Sequence, residues 1–203
     1  VKVTAEELWK LNRDTANACL THPFVQGIGS GDLSRERFRV YVAQDAYFLE
    51  AFARAYALAL AKSPDREGIA VFKDLLVGVF EELTLHEGYA ARWGVSLEPE
   101  PLPSTSTYCD FLLRTASLEP VGHTAAAMAP CMRLYAFLGQ QLAPKLNPQS
   151  PYREWVETYA SADTEALASR LEALLDRYRG DPEHLAWLYR RAMEFELAFF
   201  QAA

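Results

Sequence analysis

RERFRVYVAQDAYFLEAFARAYALALAK, residues 35–62, decides the fold class. It contains neither proline nor glycine. Phe38, Val42, Asp45, Leu49, Phe52 and Tyr56 recur in steps of four and three, which is one face of an α-helix and not the period of two of a strand. Ser34 is a good N-cap in front of it, and SPDREG breaks it behind. One residue departs from the stripe: Asp45 puts a carboxylate at the centre of an otherwise apolar face. A buried carboxylate is costly unless it is hydrogen-bonded or paired, so Asp45 either bonds a neighbouring helix or serves a site.

Read outward from this element, the rest of the chain has the same period. A T-x-x-E capping box at Thr4 and Glu7 starts a first helix running to about Leu20, which His22-Pro23 stops. VQGIGSGDLS reads as a glycine-rich loop. With Ser63 as cap and Pro64 in the first turn, a third helix is predicted over 65–93, followed by a proline-rich loop, SLEPEPLPSTS. Shorter helices are expected near 107–117, 124–142, 151–159, 164–179 and 182–201. No alternating strand run and no internal repeat is found. The expectation is one all-α bundle of about eight helices, a single domain over residues 1–203.

Half of the 203 residues are apolar, enough for a sizeable core. The formal net charge of −7 and the lack of any basic block argue against a nucleic-acid partner. The longest apolar runs are too short to span a bilayer, and the opening VKVTAEELWK has no secretory signature. Cys19, Cys109 and Cys131 are widely spaced and form no disulfide framework, so a reducing cytoplasm is expected.

Two further positions break the apolar pattern. Glu196 interrupts the face formed by Leu185, Leu188, Ala192 and Phe199, whereas Glu194 falls beside Arg190 and Arg191 and reads as a surface charge. In the alanine-rich APCMRLY, Pro130 cannot donate to the carbonyl of Ala126, and its ring disturbs the turn just where Cys131 is presented. Cys131 and Tyr135 are four apart and share a helix face. Tyr152, Trp155, Val156 and Tyr159 form another apolar face whose tyrosines can offer hydroxyls. A carboxylate, a thiol and several tyrosines converging on one pocket would suit nucleophilic catalysis. Glu82 and His86 could be half of a dinuclear carboxylate site, but no matching Glu/His set exists elsewhere in the sequence, so no metal and no other cofactor is expected. The pair reads instead as a surface pair or as support for a neighbouring site.

HPFVQGIGSGDLSRERFRVYVAQDAYFLEAFARAYALA, ELTLHEGYAARWGV, STSTYCDFLLRTA, APCMRLYAFLG, YREWVETYAS and EFELAFF together resemble the TenA family, also called thiaminase II or aminopyrimidine aminohydrolase. The resemblance implies a haem-oxygenase-like helical fold and a homotetramer, with a dimer as the smaller alternative. It also implies a pocket for a 4-amino-2-methylpyrimidine ring. The implied activity is hydrolysis of 4-amino-5-aminomethyl-2-methylpyrimidine to the 5-hydroxymethyl compound with release of ammonia, and cleavage of thiamine in some members. By the same resemblance Cys131 matches the nucleophile, Glu196 the acid/base carboxylate and Asp45 the group that binds the aminopyrimidine. Tyr108, Tyr135 and Tyr159 match pocket tyrosines. Phe48 stands where many members have tyrosine, keeping the stacking surface but not the hydroxyl. Arg133 stands where the family often has a large aromatic; it is expected either at the pocket edge or at a subunit interface. A dinuclear metal oxidase and a non-catalytic pyrimidine-binding protein on the same architecture are the competing readings.

Overall fold

The computed structural model describes residues 3–203; Val1 and Lys2, the first residues of the opening stretch read for a secretory signal, lie outside the described residues. Among the described residues ten α-helices run α1 Ala5–Leu11, α2 Arg13–Thr21, α3 Pro23–Ser30, α4 Arg35–Lys62, α5 Arg66–Trp93, α6 Pro103–Leu118, α7 Val121–Leu142, α8 Arg153–Tyr159, α9 Ala162–Tyr178 and α10 Pro182–Ala202. A short 3₁₀ turn spans Ala143–Lys145, and there is no strand among the described residues. None of these helices is long and apolar enough to cross a membrane.

The long helices follow the apolar stripes, and most departures from the sequence reading have local causes. The capping box forms as expected, with the Thr4 N–H donating to Glu7 Oε2 at 2.8 Å. The first helix is nevertheless broken at Asn12, whose side-chain amide donates to the carbonyl of Leu8 and competes with the backbone ladder. The expected glycine-rich loop is in large part a helix. In α3, Pro23 occupies the first turn, His22 Nδ1 accepts the Phe24 N–H, and Phe24, Val25 and Ile28 are buried; these anchors outweigh the poor propensity of its glycines. Only Gly31 acts as the expected breaker: at φ 88° it ends α3 in the left-handed region. Asp65, not Ser63, caps α5 by accepting the Gly68 N–H, and Ser63 instead closes α4. Pro103 starts α6 inside the expected proline-rich loop.

Helix α7 is the axis of the molecule. It packs against α6, α8, α9 and α10, while α4 packs on α5, α6 and α7. A helix enclosed on most sides must be apolar nearly all round. Residues 124–130 of α7 are accordingly all buried, and its alanines let the neighbouring helices approach closely. The helix continues unbroken through Pro130.

Candidate active site

A cavity of about 360 Å³ opens between α4, α5, α7, α8 and α9, a size suited to a small heterocycle. Asp45, Phe48, Cys131, Tyr135 and Tyr159 all line it. Tyr108 and Glu196 do not. They stand one layer behind, both almost fully buried, and the Tyr108 hydroxyl donates to Glu196 Oε1 at 2.6 Å. Tyr108 therefore holds the carboxylate and is not part of the cavity wall.

Burial of Cys131 comes first in pushing its thiol up, and Glu196, Glu82 and Asp45 add to it, so the resting group is a thiol. Glu196 is pushed up to about 7, chiefly by burial; hydrogen bonds from Tyr108 and Cys131 pull the other way. A carboxyl poised near neutrality whose charge is felt by a nearby thiol has the chemistry to exchange a proton with it. Cys19 and Cys109 are pushed up to about 12, mainly by burial, and neither lines the cavity.

Asp45 bonds a neighbouring helix and also lines the cavity. Its Oδ2 is 2.8 Å from His86 Nε2, across from α4 to α5, while His86 Nδ1 is 2.9 Å from the carbonyl of Glu82. A carbonyl can only accept, so Nδ1 carries a hydrogen; Nε2 faces a carboxylate. Burial pulls the imidazole down, but the hydrogen bond and charge of Asp45 outweigh it, and His86 ends at about 9. The pair is an imidazolium–carboxylate ion pair at neutral pH, with Asp45 still on the cavity wall. Both ring nitrogens of His86 are thereby engaged, which leaves neither for a metal.

The aromatic wall is hydrogen-bonded as well as stacked. Trp155 Nε1 donates to the Tyr41 hydroxyl at 3.1 Å, and that hydroxyl donates to Tyr135 at 3.3 Å. Tyr135 meets Tyr159 edge to face at 4.7 Å between centroids. Phe48 packs on Phe52, Tyr108 and Phe199. The Tyr159 hydroxyl donates to Glu82 Oε1, which puts Glu82 on the cavity wall.

Arg133 is not at the pocket edge. It is clamped to α9 by Glu165 at 2.8 Å and Glu172 at 2.6 Å, with a further bond to Ser169. Its partners lie more than thirty residues downstream, at 32 and 39 positions, out of reach of a motif reading. Glu194 is, as expected, an exposed partner of Arg191. Away from the cavity, Glu119 Oε2 is 3.0 Å from His123 Nδ1 and 2.7 Å from His184 Nε2. This His–Glu–His cluster ties together the ends of α6, α7 and α10. It too is invisible in sequence, because His184 is 65 residues from Glu119.

A thiol and an aspartate thus share an aromatic-walled cavity, with a buried carboxyl one layer behind, on an all-α scaffold. The chain matches the TENA/THI-4/PQQC family over residues 9–203, and it belongs to that family. It is 34% identical over 179 residues to a protein from Halalkalibacterium halodurans named aminopyrimidine aminohydrolase, covering 85% of this chain and 80% of that one. It is 33% identical over 225 residues to the mitochondrial bifunctional TH2 protein of Arabidopsis thaliana; that match takes in 97% of this chain but spans only 36% of the plant protein. The solved structure of a TenA homologue from Pyrococcus furiosus superposes with a TM-score of 0.90 at 26% identity, over 97% of this chain and 98% of that one. A Shewanella denitrificans domain with a heme oxygenase-like fold, 13% identical at a TM-score of 0.75, bears on the fold alone; the expected fold class is the observed one.

Proposed function

We propose that this chain, as one TenA-like domain, hydrolyses 4-amino-5-aminomethyl-2-methylpyrimidine to the 5-hydroxymethyl compound with release of ammonia, a thiamine-salvage reaction, with thiamine as a second substrate. The observation that carries this reading is that Cys131 and Asp45 line one cavity with Phe48, Tyr135 and Tyr159, with Glu196, held by Tyr108, buried one layer behind. The name and extent of the Halalkalibacterium halodurans relative support it. In this reading the sulfur of Cys131 bonds to an electron-poor ring carbon as its proton passes to Glu196 and on to a ring nitrogen. The lone pair of the ring's amino group then expels ammonia from the exocyclic methylene. Water adds to that methylene and loses a proton. Return of the ring proton to Glu196 and cleavage of the C–S bond restore the aromatic ring and the thiol. Asp45 accepts from the amino group, and Phe48, Tyr135 and Tyr159 enclose the ring. Ammonia release measured over a panel of thiamine fragments tests the assignment; release from none of the 5-aminomethyl pyrimidines would overturn it.

Two expected results belong to this reading. Glu196 must be ionised to take the thiol proton, and its carboxyl sits near 7, so kcat/KM should rise as pH is raised through about 7. An acidic limb at the ordinary carboxylate range, near pH 4, would remove Glu196 from that role. Asp45→Asn should weaken binding of the pyrimidine alcohol by about 1.5–3 kcal/mol, the worth of a charge-assisted hydrogen bond. Calorimetry showing unchanged affinity would limit Asp45 to holding His86.

The assembly is proposed to be a homotetramer, or a dimer, in the cytoplasm. Val77 and Phe80, half exposed on α5, offer an apolar face for such association.

A further inference from the structure

The mechanism above leaves unused a cavity carboxylate that a wall tyrosine holds. Glu82 lines the same wall as Cys131 and Asp45, and Tyr159 holds its Oε1. Resting on the proposed hydrolase reading, we propose that Glu82 is the specificity-determining and catalytic carboxylate for the 5-substituent: it binds the ammonium on the exocyclic methylene, then takes the proton from the water that replaces it.

Three observations carry this. First, the lining contains four acidic side chains, Asp45, Glu81, Glu82 and Asp163, and no lysine or arginine among the described residues. A cleft of one sign in low-dielectric walls concentrates the opposite charge, here a cation. Second, the acids are not equivalent. The Asp45 charge is met by the imidazolium of His86, and Glu81 and Asp163 are exposed. Glu82 is the partly buried acid of the wall that has no direct cationic partner among the described residues, since His86 touches only its backbone carbonyl. Third, its placement has a measurable signature. Burial, followed by the nearby Asp45, pushes its carboxyl up to about 7, while His86 and Tyr159 pull it down. An ammonium seated against it would supply the missing charge.

The proton count closes. The substrate enters as R–CH2–NH3⁺ against ionised Glu82. Ammonia leaves as the C–N bond breaks. Water forms the new C–O bond and its proton goes to Glu82, which passes it to ammonia. The sum is ammonium substrate plus water giving alcohol plus ammonium ion. The bland alternative is that Glu82 only orients Tyr159.

The test separates these, and separates both from the hydrolase reading. In a Cys131→Ser background, which should not turn over, calorimetry compares 5-aminomethyl- with 5-hydroxymethyl-4-amino-2-methylpyrimidine. The expected result is about 10-fold or more tighter binding of the ammonium ligand, abolished by Glu82→Gln, with the alcohol's affinity changed by no more than about twofold. Tyr159→Phe, which keeps the carboxylate, should retain the preference for the ammonium. A preference absent at the start, or unchanged by Glu82→Gln, or lost equally in Tyr159→Phe, overturns the proposal. The hydrolase reading falls by a different result, no ammonia released by the wild-type protein.

Discussion

Cys131→Ser is expected to lose nearly all hydrolysis, on the order of 10³-fold or more, with product affinity held within about 1 kcal/mol. The substitution replaces sulfur by a smaller, far less acidic oxygen and leaves the wall of Asp45, Phe48, Tyr135 and Tyr159 in place. Serine could still hydrogen-bond Glu196, so the proton relay would survive while the nucleophile fails. The loss should therefore fall on kcat and not on binding. Cys19→Ser and Cys109→Ser are the built-in controls: both thiols are buried away from the cavity. Both variants should keep close to wild-type turnover in whatever fraction remains folded. An alkylating reagent should inactivate the wild-type protein, and bound product should protect it. Hydrolysis rates of the three variants, measured side by side, decide the matter. Substantial turnover by Cys131→Ser would remove the covalent step.

What the sequence made legible was anything expressed as periodicity within one helix. Asp45 and Glu196 stand out because each interrupts an apolar stripe, and both prove buried. Cys131 and Tyr135 share a face because they are four apart, and both line the cavity. Partnerships across helices were not legible, since nothing in a single sequence couples α4 to α5. Asp45 and His86 are 41 residues apart, so the ion pair that fixes His86 read only as Glu82 with His86 on one helix. Of the two places expected for Arg133, the pocket edge failed for the same reason: its acidic partners sit on α9. Helix α3 was misread because its glycines suggest a loop, while the burial of Phe24, Val25 and Ile28 that pays for the helix is tertiary. Tyr108 was known only by resemblance, and its actual partner, Glu196, lies 88 residues on.

Gly139→Ala is expected to damage stability and turnover together. Gly139 lies one turn beyond Tyr135, itself one turn beyond Cys131, on the face of α7 that meets the end of α8. A Cβ there would stand 2.5 Å from the Ala160 nitrogen, 2.5 Å from the Tyr159 carbonyl carbon and 2.9 Å from the Tyr159 Cβ. Two of these neighbours are backbone, so no side-chain rotation relieves the clash, and α8 must move off α7. Overpacking of this kind costs about 1–3 kcal/mol, against a gain of at most about 1 kcal/mol from replacing glycine within a helix. In a chain of this length each net kcal/mol should lower Tm by about 2–4 °C. The displaced element carries Tyr159, which both lines the cavity and holds Glu82. A shift of ~1 Å in such a group can cost about 10²-fold in kcat/KM. Gly88→Ala is the matched control, because a Cβ at that position in α5 meets nothing within 4 Å. It should gain stability from helix propensity and leave turnover unchanged. Thermal melts and kcat/KM for the two variants separate the effects of close packing from those of glycine itself. If Gly139→Ala melts as high as Gly88→Ala and turns over equally well, the contact between α7 and α8 does not position the cavity wall.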